Sequence, residues 1–199
     1  MARWPAPGRC KRRLAAGLDR AGDGSRRAAR VQVALGSHSL AVARQARRLL
    51  GVELVLASSG LGPGATRRWA RQQGCDLGLI QGAGGLGLRL QRQVQLGLRA
   101  GAHQVVVIGS DLPGLECRDL LEAFAALEQR PLVLGPAHDG GYWLIGLTRR
   151  CPELFCGIPW GGDQVLACTE AQALRQCLPW RRLRHQADLD RAGELARWR

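Results

Sequence analysis

Short apolar runs alternate along this chain with longer segments whose apolar residues recur at helical spacing. This alternation predicts strands joined by helices of about 10 to 15 residues, which is the pattern of βαβ units. The segments predicted as strands are 52–57, 77–81, 104–109, 131–135 and 142–147, with 182–189 as a last extended piece. The segments predicted as helices are 38–50, 66–73, 86–99, 118–128, 163–178 (capped by Asp163) and 191–198. Because βαβ units build parallel sheets covered by helices, we expect an α/β fold with a mostly parallel sheet.

The predicted strand 104–109 contains four consecutive β-branched residues. Such a run suits a strand that is buried on both faces, as in a parallel sheet. Asp111 follows this strand, and in open α/β sheets the ligand lies at the carboxyl ends of the strands. A carboxylate at that place could hold a divalent cation against a diphosphate. The alternative is that Asp111 caps the turn that contains Pro113.

The length of 199 residues and the even composition favour a single domain, residues 1–199. Hydrophobic residues make up 46% of the chain, so a buried core is expected. Since no apolar run approaches about 18 residues, a membrane span is not expected. Pro5, Pro7 and Gly8 interrupt the place of a signal-peptide core, so a cytoplasmic protein is expected. Met1–Arg3 is short for a first strand: either that strand is clipped or the start codon is set late.

The formal net charge is +13, which often indicates a nucleic-acid partner. However, Lys11 is the one lysine among 29 basic residues, and such arginine usage is what a GC-rich genome produces by codon bias. We therefore expect no specific nucleic-acid recognition, while a basic nucleic-acid-binding protein stays open as the alternative. The seven cysteines have no paired zinc spacing and fit a reduced protein.

Three further segments carry residues that could contact a ligand. A basic loop near the start contains Gly8, Lys11 and Arg13, whose charges could neutralise phosphate oxygens. The glycine-rich turn 82–87 opens a predicted helix, and its backbone N–H groups could bind an anion or a base edge. Asp139 stands beside two glycines that would allow a ligand to approach closely. The structural alternatives are a solvated basic terminus, a plain loop and a hairpin turn.

Two acidic residues near the end, Asp188 and Asp190, are spaced so that both side chains point to the same face of an extended segment. One of them could be a metal ligand, and the other could cap the helix that follows. Capping alone would also explain the pair.

Six segments, taken in chain order, resemble a bacterial family of uncharacterised glycosyltransferase-like proteins, the radical-SAM/selenodomain-associated transferases. The segments are ARWPAPGRCKRRL, QGAGGLGLRL, VVVIGSDLPGL, LGPAHDGGYWLIGL, GIPWGGDQVL and ADLDRAGEL. The resemblance runs from residue 2 to residue 198. Its most specific motifs are P-x-P-G-x-x-K-x-R-L, GSD-x-P-x-L and GPA-x-DGGY-x-L-I-G-L.

This resemblance implies the nucleotide-diphospho-sugar transferase fold of glycosyltransferase type A, a three-layer α/β/α sandwich with a Rossmann-like half. It implies a metal-dependent enzyme that uses Mg²⁺ or Mn²⁺ and a nucleotide or nucleotide-sugar donor. Glycosyl transfer is the first expectation, and nucleotidyl transfer of the guanylyltransferase kind is the alternative on the same fold. The acceptor cannot be inferred from the sequence.

By the same likeness, Asp111 looks like a metal-binding aspartate and Asp190 like a second residue on the metal side. Asp139 lies in the hallmark motif of the family and is expected to act with Asp111 in catalysis. The residues expected to contact the donor are Gly8, Lys11, Arg13, Gly84 and Gly87.

The chain departs from the pattern of the family at several places. The departures are Arg12, Gly85, Gly161 and Gly162, together with Arg191, Ala192 and Glu194 after the last acidic motif. Each removes a polar group near the expected pocket, so a non-catalytic nucleotide-binding relative stays open as a further alternative.

Overall fold

Two units make up the part of the chain that the computed structural model describes, residues 1–19 and 21–198. The first unit comprises Met1–Ile80, Gly109–Leu115 and the C-terminal segment from Asp188. The second unit comprises Gln81–Ile108 and Glu116–Ala187. The expectation of one domain over residues 1–199 stays a prediction.

The first unit contains a parallel sheet with the strand order β1-β2-β3. Its strands are β1 Ala2–Arg3, β2 Val55–Ser59 and β3 Leu77–Ile80. Its helices in the described residues are α1 Arg12–Leu18, α2 Gly24–Leu50, α3 Pro63–Gln72 and a 3₁₀ helix at Ala192–Trp198. Strands β2 and β3 with α3 between them form the βαβ unit that the alternation of the sequence predicts.

A glycine in β3 allows α3 to pack closely on this sheet. A Cβ atom at Gly78 would lie 2.8 Å from atoms of Thr66, Arg67 and Ala70 in α3. The buried hydroxyl groups of Ser58 and Thr66 lie 2.6 Å apart, so these polar groups at the contact satisfy each other. The βαβ unit therefore depends on small side chains as much as on apolar ones.

Helix α2 begins at Gly24, well before the helix predicted at 38–50, and α1 lies outside every predicted element. The prediction misses the first half of α2 because small and polar residues form its buried face. These buried residues are Gly24, Ala28, Ala29, Gln32 and Leu35. Leu14 of α1, Leu35 and Leu189 of the C-terminal segment share one buried cluster, which brings three distant parts of the chain together.

The second unit contains a mixed sheet with the strand order β4-β6-β5-β7. Its strands are β4 Val105–Ile108, β5 Leu132–Pro136, β6 Tyr142–Leu147 and β7 Trp180–Arg182. Its helices are α4 Leu86–Arg99, a 3₁₀ helix at Pro152–Phe155, α5 Cys117–Gln129 and α6 Val165–Arg175. The predictions for 86–99 and 142–147 are confirmed at both ends. All residues of β5 and those of β6 after Tyr142 are buried, Leu134 and Ile145 among them, and they form the centre of this unit.

Strand β4 corrects one expectation, because it pairs antiparallel with β6 rather than parallel. Strand β6 also pairs antiparallel with β5, while β5 and β7 are parallel. Three of the five strand pairs in the described residues are thus parallel. Of the four residues of β4 only Val107 is buried, so the expected burial on both faces is wrong as well. A β-branched run carries no information about the direction of the neighbouring strand. The α/β class with a mostly parallel sheet is confirmed.

Two boundaries in the last third of the chain also differ from the prediction. Helix α6 has Gln164 rather than Asp163 at its N-cap, with no side-chain cap hydrogen bond, and it ends at Arg175 rather than 178. The extended piece predicted at 182–189 overlaps the strand β7 only at Arg182, and beyond it an isolated bridge pairs Gln186 with Ala137. Within residues 1–19 and 21–198, the helices are all too short or too polar to cross a membrane.

A buried carboxylate, Asp119 in the first turn of α5, stabilises the second unit. It accepts hydrogen bonds from Arg184 (2.8 Å), the side chain of Gln186 (3.0 Å) and the backbone N–H of Glu116 (2.8 Å). Burial by itself raises the pKa of Asp119, but these donors outweigh it and hold that pKa below the ordinary value. The carboxylate therefore joins the start of α5 to the segment that follows β7.

We expect Asp119→Asn to lower the free energy of unfolding by about 1.5–3 kcal/mol near pH 7, the usual value of hydrogen bonds to a charged group. Because the native pKa is lowered, this stabilisation is present above the ordinary aspartate pKa of about 3.9. It is lost as the pH falls through the lower native value. Urea unfolding should therefore show the two proteins converging at acidic pH. Glu128→Gln, exposed on the same helix, is the matched control. Equal stability of wild type and Asp119→Asn at pH 7 would contradict the assignment.

Candidate functional site

The site forms in the first unit, where three segments that are distant in sequence meet around Lys11. The ammonium group of Lys11 donates to Asp190 Oδ1 at 2.8 Å and to the carbonyl oxygen of Leu189 at 2.6 Å. Its Nζ also lies 3.2 Å from Asp111 Oδ2. The Lys11 side chain is 2% exposed, while the Asp111 and Asp190 side chains are 40% and 44% exposed. A buried cation is thus enclosed by oxygens, and the two carboxylates among them are partly exposed to solvent.

The electrostatics of Lys11 follow from this geometry. Burial alone lowers the pKa of a lysine, but the negative charges and hydrogen bonds of Asp111 and Asp190 outweigh burial and raise it. The group is therefore positively charged at neutral pH. Its backbone has a φ of 48° at the N-cap of α1, a left-handed conformation that is uncommon for a residue with a side chain.

Asp111 is held from two sides. Gln32 of α2 donates to Asp111 Oδ1 at 3.0 Å, while Lys11 lies at the other oxygen, Oδ2. The backbone N–H of Leu189 donates to the Asp111 carbonyl oxygen at 3.0 Å. His38, also on α2, donates from Nε2 to the carbonyl oxygen of Leu115 at 2.9 Å. Helix α2 thus fixes both ends of the segment that carries Asp111.

Asp190 does not cap the 3₁₀ helix that follows it. Glu194 does so instead, because its Oε2 accepts the backbone N–H groups of Asp190 (2.7 Å) and Arg191 (2.8 Å). The Asp190 carboxylate contacts Lys11. Glu194, one of the departures from the family pattern, therefore caps the start of the 3₁₀ helix. The Asp190 side chain is left available to the site.

Sequence reasoning missed Gln32, although a signal existed. It lies four residues after Ala28 and three before Leu35, on the buried face of α2, and is 5% exposed. A polar residue on an apolar face needs a partner, because an unpaired buried amide is costly. Here the partner is the Asp111 carboxylate.

The other residues predicted for the donor site are placed differently. Gly8 has a φ of 73° in the turn before Lys11, in the first unit. Arg13 is exposed on α1 and is not among the groups around Lys11. Gly84, Gly87 and Asp139 belong to the second unit. Their predicted roles towards a donor stay predictions.

In the second unit, the chain itself fills the space beside Gly87, which was expected to contact the donor, and beside Gly140, one of the two glycines that follow Asp139. A Cβ atom at Gly87, in the first turn of α4, would lie 2.4 Å from the indole of Trp160. At Gly140, with a φ of 86°, it would lie 1.9 Å from the carbonyl oxygen of Asp163. The close approach inferred from these sequences is therefore made by neighbouring segments of the same unit.

Asp139 lies in the hairpin between β5 and β6. Its Oδ1 accepts the backbone N–H of Gly141 at 2.9 Å, and the side chain is exposed. This is the hairpin arrangement that was the structural alternative for the motif.

The donor set around Lys11 Nζ is chemically suited to a hard cation. Carboxylate and carbonyl oxygens are the ligands that Mg²⁺ and Mn²⁺ prefer. Across residues 1–19 and 21–198, no group of three or more His, Cys, Asp or Glu side chains gathers where it could hold a metal ion. A divalent cation at this place would therefore complete its shell with oxygens of a ligand or water, as Mg²⁺ usually does.

Comparison with known proteins gives one family and several relatives. The family described as "Uncharacterized protein conserved in bacteria (DUF2064)" matches residues 41–162. A phosphoenolpyruvate guanylyltransferase from Sphaerobacter thermophilus is 33% identical over 169 residues, which cover 82% of this chain and 76% of that protein.

Solved structures support the fold. A protein from Desulfovibrio desulfuricans G20, provisionally named a nucleotide-diphospho-sugar transferase, superposes with a TM-score of 0.81 at 27% identity. The match covers 96% of this chain and 80% of that one. CMP:2-keto-3-deoxy-manno-octonic acid synthetase in complex with CTP gives a TM-score of 0.58 at 12% identity, over 99% of this chain and 93% of that one. The chain has the nucleotide-diphospho-sugar transferase fold.

We expect Gln32→Leu to lower the free energy of unfolding by about 1–3 kcal/mol, because Asp111 Oδ1 loses its donor inside the unit. Since Asp111 is partly exposed and water can replace the amide, the lower half of that range is expected. Urea unfolding at neutral pH measures the change. Gln45→Leu, exposed on the same helix, is the control and should be nearly silent. If both variants change the free energy of unfolding by the same small amount, the assignment of Gln32 to the site is wrong.

Proposed function

We propose that this chain, which belongs to the DUF2064 family of bacterial proteins, is a metal-dependent nucleotidyltransferase. It would transfer a nucleotidyl group from a nucleoside triphosphate, with GTP as the first candidate, to a small phosphorylated acid. The name of the 33% identical relative, phosphoenolpyruvate guanylyltransferase, supports this choice of donor and acceptor. The likeness to radical-SAM/selenodomain-associated transferases stays a prediction from the motifs.

One observation carries the proposal: three oxygens of Asp111, Asp190 and Leu189 converge on a single buried positive charge. A place that binds one cation among carboxylates is suited to bind another. Asp111 and Asp190 would hold Mg²⁺ or Mn²⁺, since the donor set fits these ions. When bound, the ion would neutralise the triphosphate and make the α-phosphorus more electrophilic.

The residues of the chain would position the reactants. Gln32 fixes one oxygen of Asp111 and leaves the other directed at the site. The backbone of Leu189 ties Asp111 to the segment that carries Asp190. Arg13 and Lys11, at the start of α1, would supply positive charge to the phosphate oxygens. An oxygen of the acceptor phosphate forms a bond to the α-phosphorus, the bond to the β-phosphate breaks, and pyrophosphate leaves with the electron pair.

Glycosyl transfer is the second candidate. The TM-score of 0.81 with the provisionally named nucleotide-diphospho-sugar transferase favours it, and the fold alone does not separate the two reactions. The products do: nucleotidyl transfer releases pyrophosphate, whereas glycosyl transfer releases a nucleoside diphosphate. A non-catalytic relative would bind the nucleotide and release neither product.

We expect the purified protein to release pyrophosphate from GTP when Mn²⁺ and phosphoenolpyruvate are present. Asp111→Asn keeps the shape of the side chain but removes its charge, so the rate should fall at least about 100-fold, or about 2.7 kcal/mol in activation free energy. A coupled pyrophosphate assay and chromatography of the nucleotides measure both products.

Asp76→Asn is the matched control for that assay. It makes the same change in the first unit, at a carboxylate paired with Arg47 rather than with Lys11. Its rate should equal that of wild type. Release of nucleoside diphosphate from nucleotide sugars, with no pyrophosphate from any triphosphate, would replace the proposal by glycosyl transfer. Binding without turnover of either donor class would replace it by a non-catalytic role.

A further inference from the structure

The ammonium of Lys11 lies at the point that the proposed cation would need. The same three oxygens contact it at 2.6, 2.8 and 3.2 Å, and its side chain is 2% exposed. An ion that takes Asp111 and Asp190 as ligands requires these oxygens at about 2.0–2.1 Å for Mg²⁺. The ammonium group and the divalent ion therefore compete for one volume and for the same lone pairs.

The charges at the site oppose binding of the divalent ion while the ammonium of Lys11 stays in place. Two carboxylates with one ammonium leave one net negative charge, which a single divalent ion would over-neutralise if Lys11 stayed. Two cations within hydrogen-bonding distance of the same oxygens repel each other strongly in a partly buried site. Cation binding must consequently move Nζ away from Asp111 and Asp190.

The side chain of Lys11 can make that movement. A lysine carries its charge on a flexible stem with four carbons, unlike the planar fork of arginine. Lys11 stands at the N-cap of α1, and the next two residues, Arg12 and Arg13, are exposed. The Asp111 and Asp190 side chains that Lys11 contacts are 40% and 44% exposed, so the displaced ammonium has a short path along them to solvent.

We infer that Lys11 is an internal counter-ion that a divalent cation displaces, and that the phosphates of the nucleotide then receive its ammonium group. This inference rests on the proposed function and adds to it the exchange of partners that Lys11 makes when the cation binds. When the cation binds alone, Lys11 loses its contacts with the carboxylates and gains no new partner, so binding is weakened. When a nucleotide is also bound, the ammonium contacts phosphate oxygens in place of the carboxylate oxygens. The cation and the nucleotide should therefore strengthen each other's binding, by the same factor in each direction.

The decisive variant is Lys11→Met, which keeps a long side chain and removes the charge. Mn²⁺ titrations by calorimetry, with and without GTP, measure the affinity of wild type and variant. For wild type we expect weak Mn²⁺ binding alone and at least tenfold tighter binding with GTP. For Lys11→Met we expect Mn²⁺ alone to bind at least tenfold tighter than to wild type. The gain in Mn²⁺ affinity from GTP should be at least threefold smaller than in wild type, because only the direct contact between phosphate oxygens and the cation remains.

Arg12→Met is the matched control, because it removes one positive charge from the neighbouring exposed residue. It should bind Mn²⁺ like wild type, which separates displacement from a general change in charge. If Lys11→Met binds Mn²⁺ no tighter than Arg12→Met, Lys11 does not occupy the place of the cation and the inference is wrong. An unchanged effect of GTP in Lys11→Met would also overturn it, since the ammonium would then not be the link.

These outcomes differ from a failure of the proposed function. If wild type binds Mn²⁺ and GTP but Lys11→Met shows no gain, only the inference fails. If neither protein binds Mn²⁺ with or without GTP, the metal-dependent function and the inference both fail. Thermal melting checks that the variants fold, and Mn²⁺ alone should raise the melting temperature of Lys11→Met more than that of wild type. Should Lys11→Met not fold, Lys11→Gln tests the same displacement with the same expected gain in Mn²⁺ affinity.

Discussion

The contact of Lys11 with Asp111 and Asp190 joins three separate parts of the chain in the first unit. The loop after β1 supplies the cation, the segment Gly109–Leu115 supplies one carboxylate, and the C-terminal segment supplies the other. A buried ammonium requires compensation by negative charge, and a pair of neighbouring carboxylates requires a cation. Each of the three segments therefore constrains the position of the other two.

Apolar packing and backbone hydrogen bonds support this ion cluster from behind. Leu189 is buried against α1 and α2, and its own N–H and carbonyl groups bind the Asp111 backbone and Lys11. Gln32 adds a hydrogen bond from α2. In the second unit, the close contacts of Gly87 and Gly140 are made with the chain itself. Conformational freedom at a glycine thus identifies a close approach, but it does not say whether a ligand or a neighbouring segment approaches.

Much of the fold could be predicted, because its elements follow local rules. The stripe at 86–99 and the run at 142–147 coincide with α4 and β6. The first half of α2 could not be predicted in this way, since small and polar residues bury themselves there against α1 and the C-terminal segment. The antiparallel pairing of β4 with β6 could not be predicted either, because a β-branched run does not specify which strand lies beside it or in which direction that strand runs.

For the candidate site, too, one part could be predicted from the sequence and another part could not. The charged residues and their positions relative to the predicted elements can be read from the sequence, so Lys11, Asp111 and Asp190 could be selected as candidates. The folded chain was needed to show that these three lie together, that Gln32 completes the group and that Glu194 rather than Asp190 caps the last helix. The physical reason is that charge and helical or strand periodicity are local properties. A contact between residues 11 and 190 depends on how every segment between them packs.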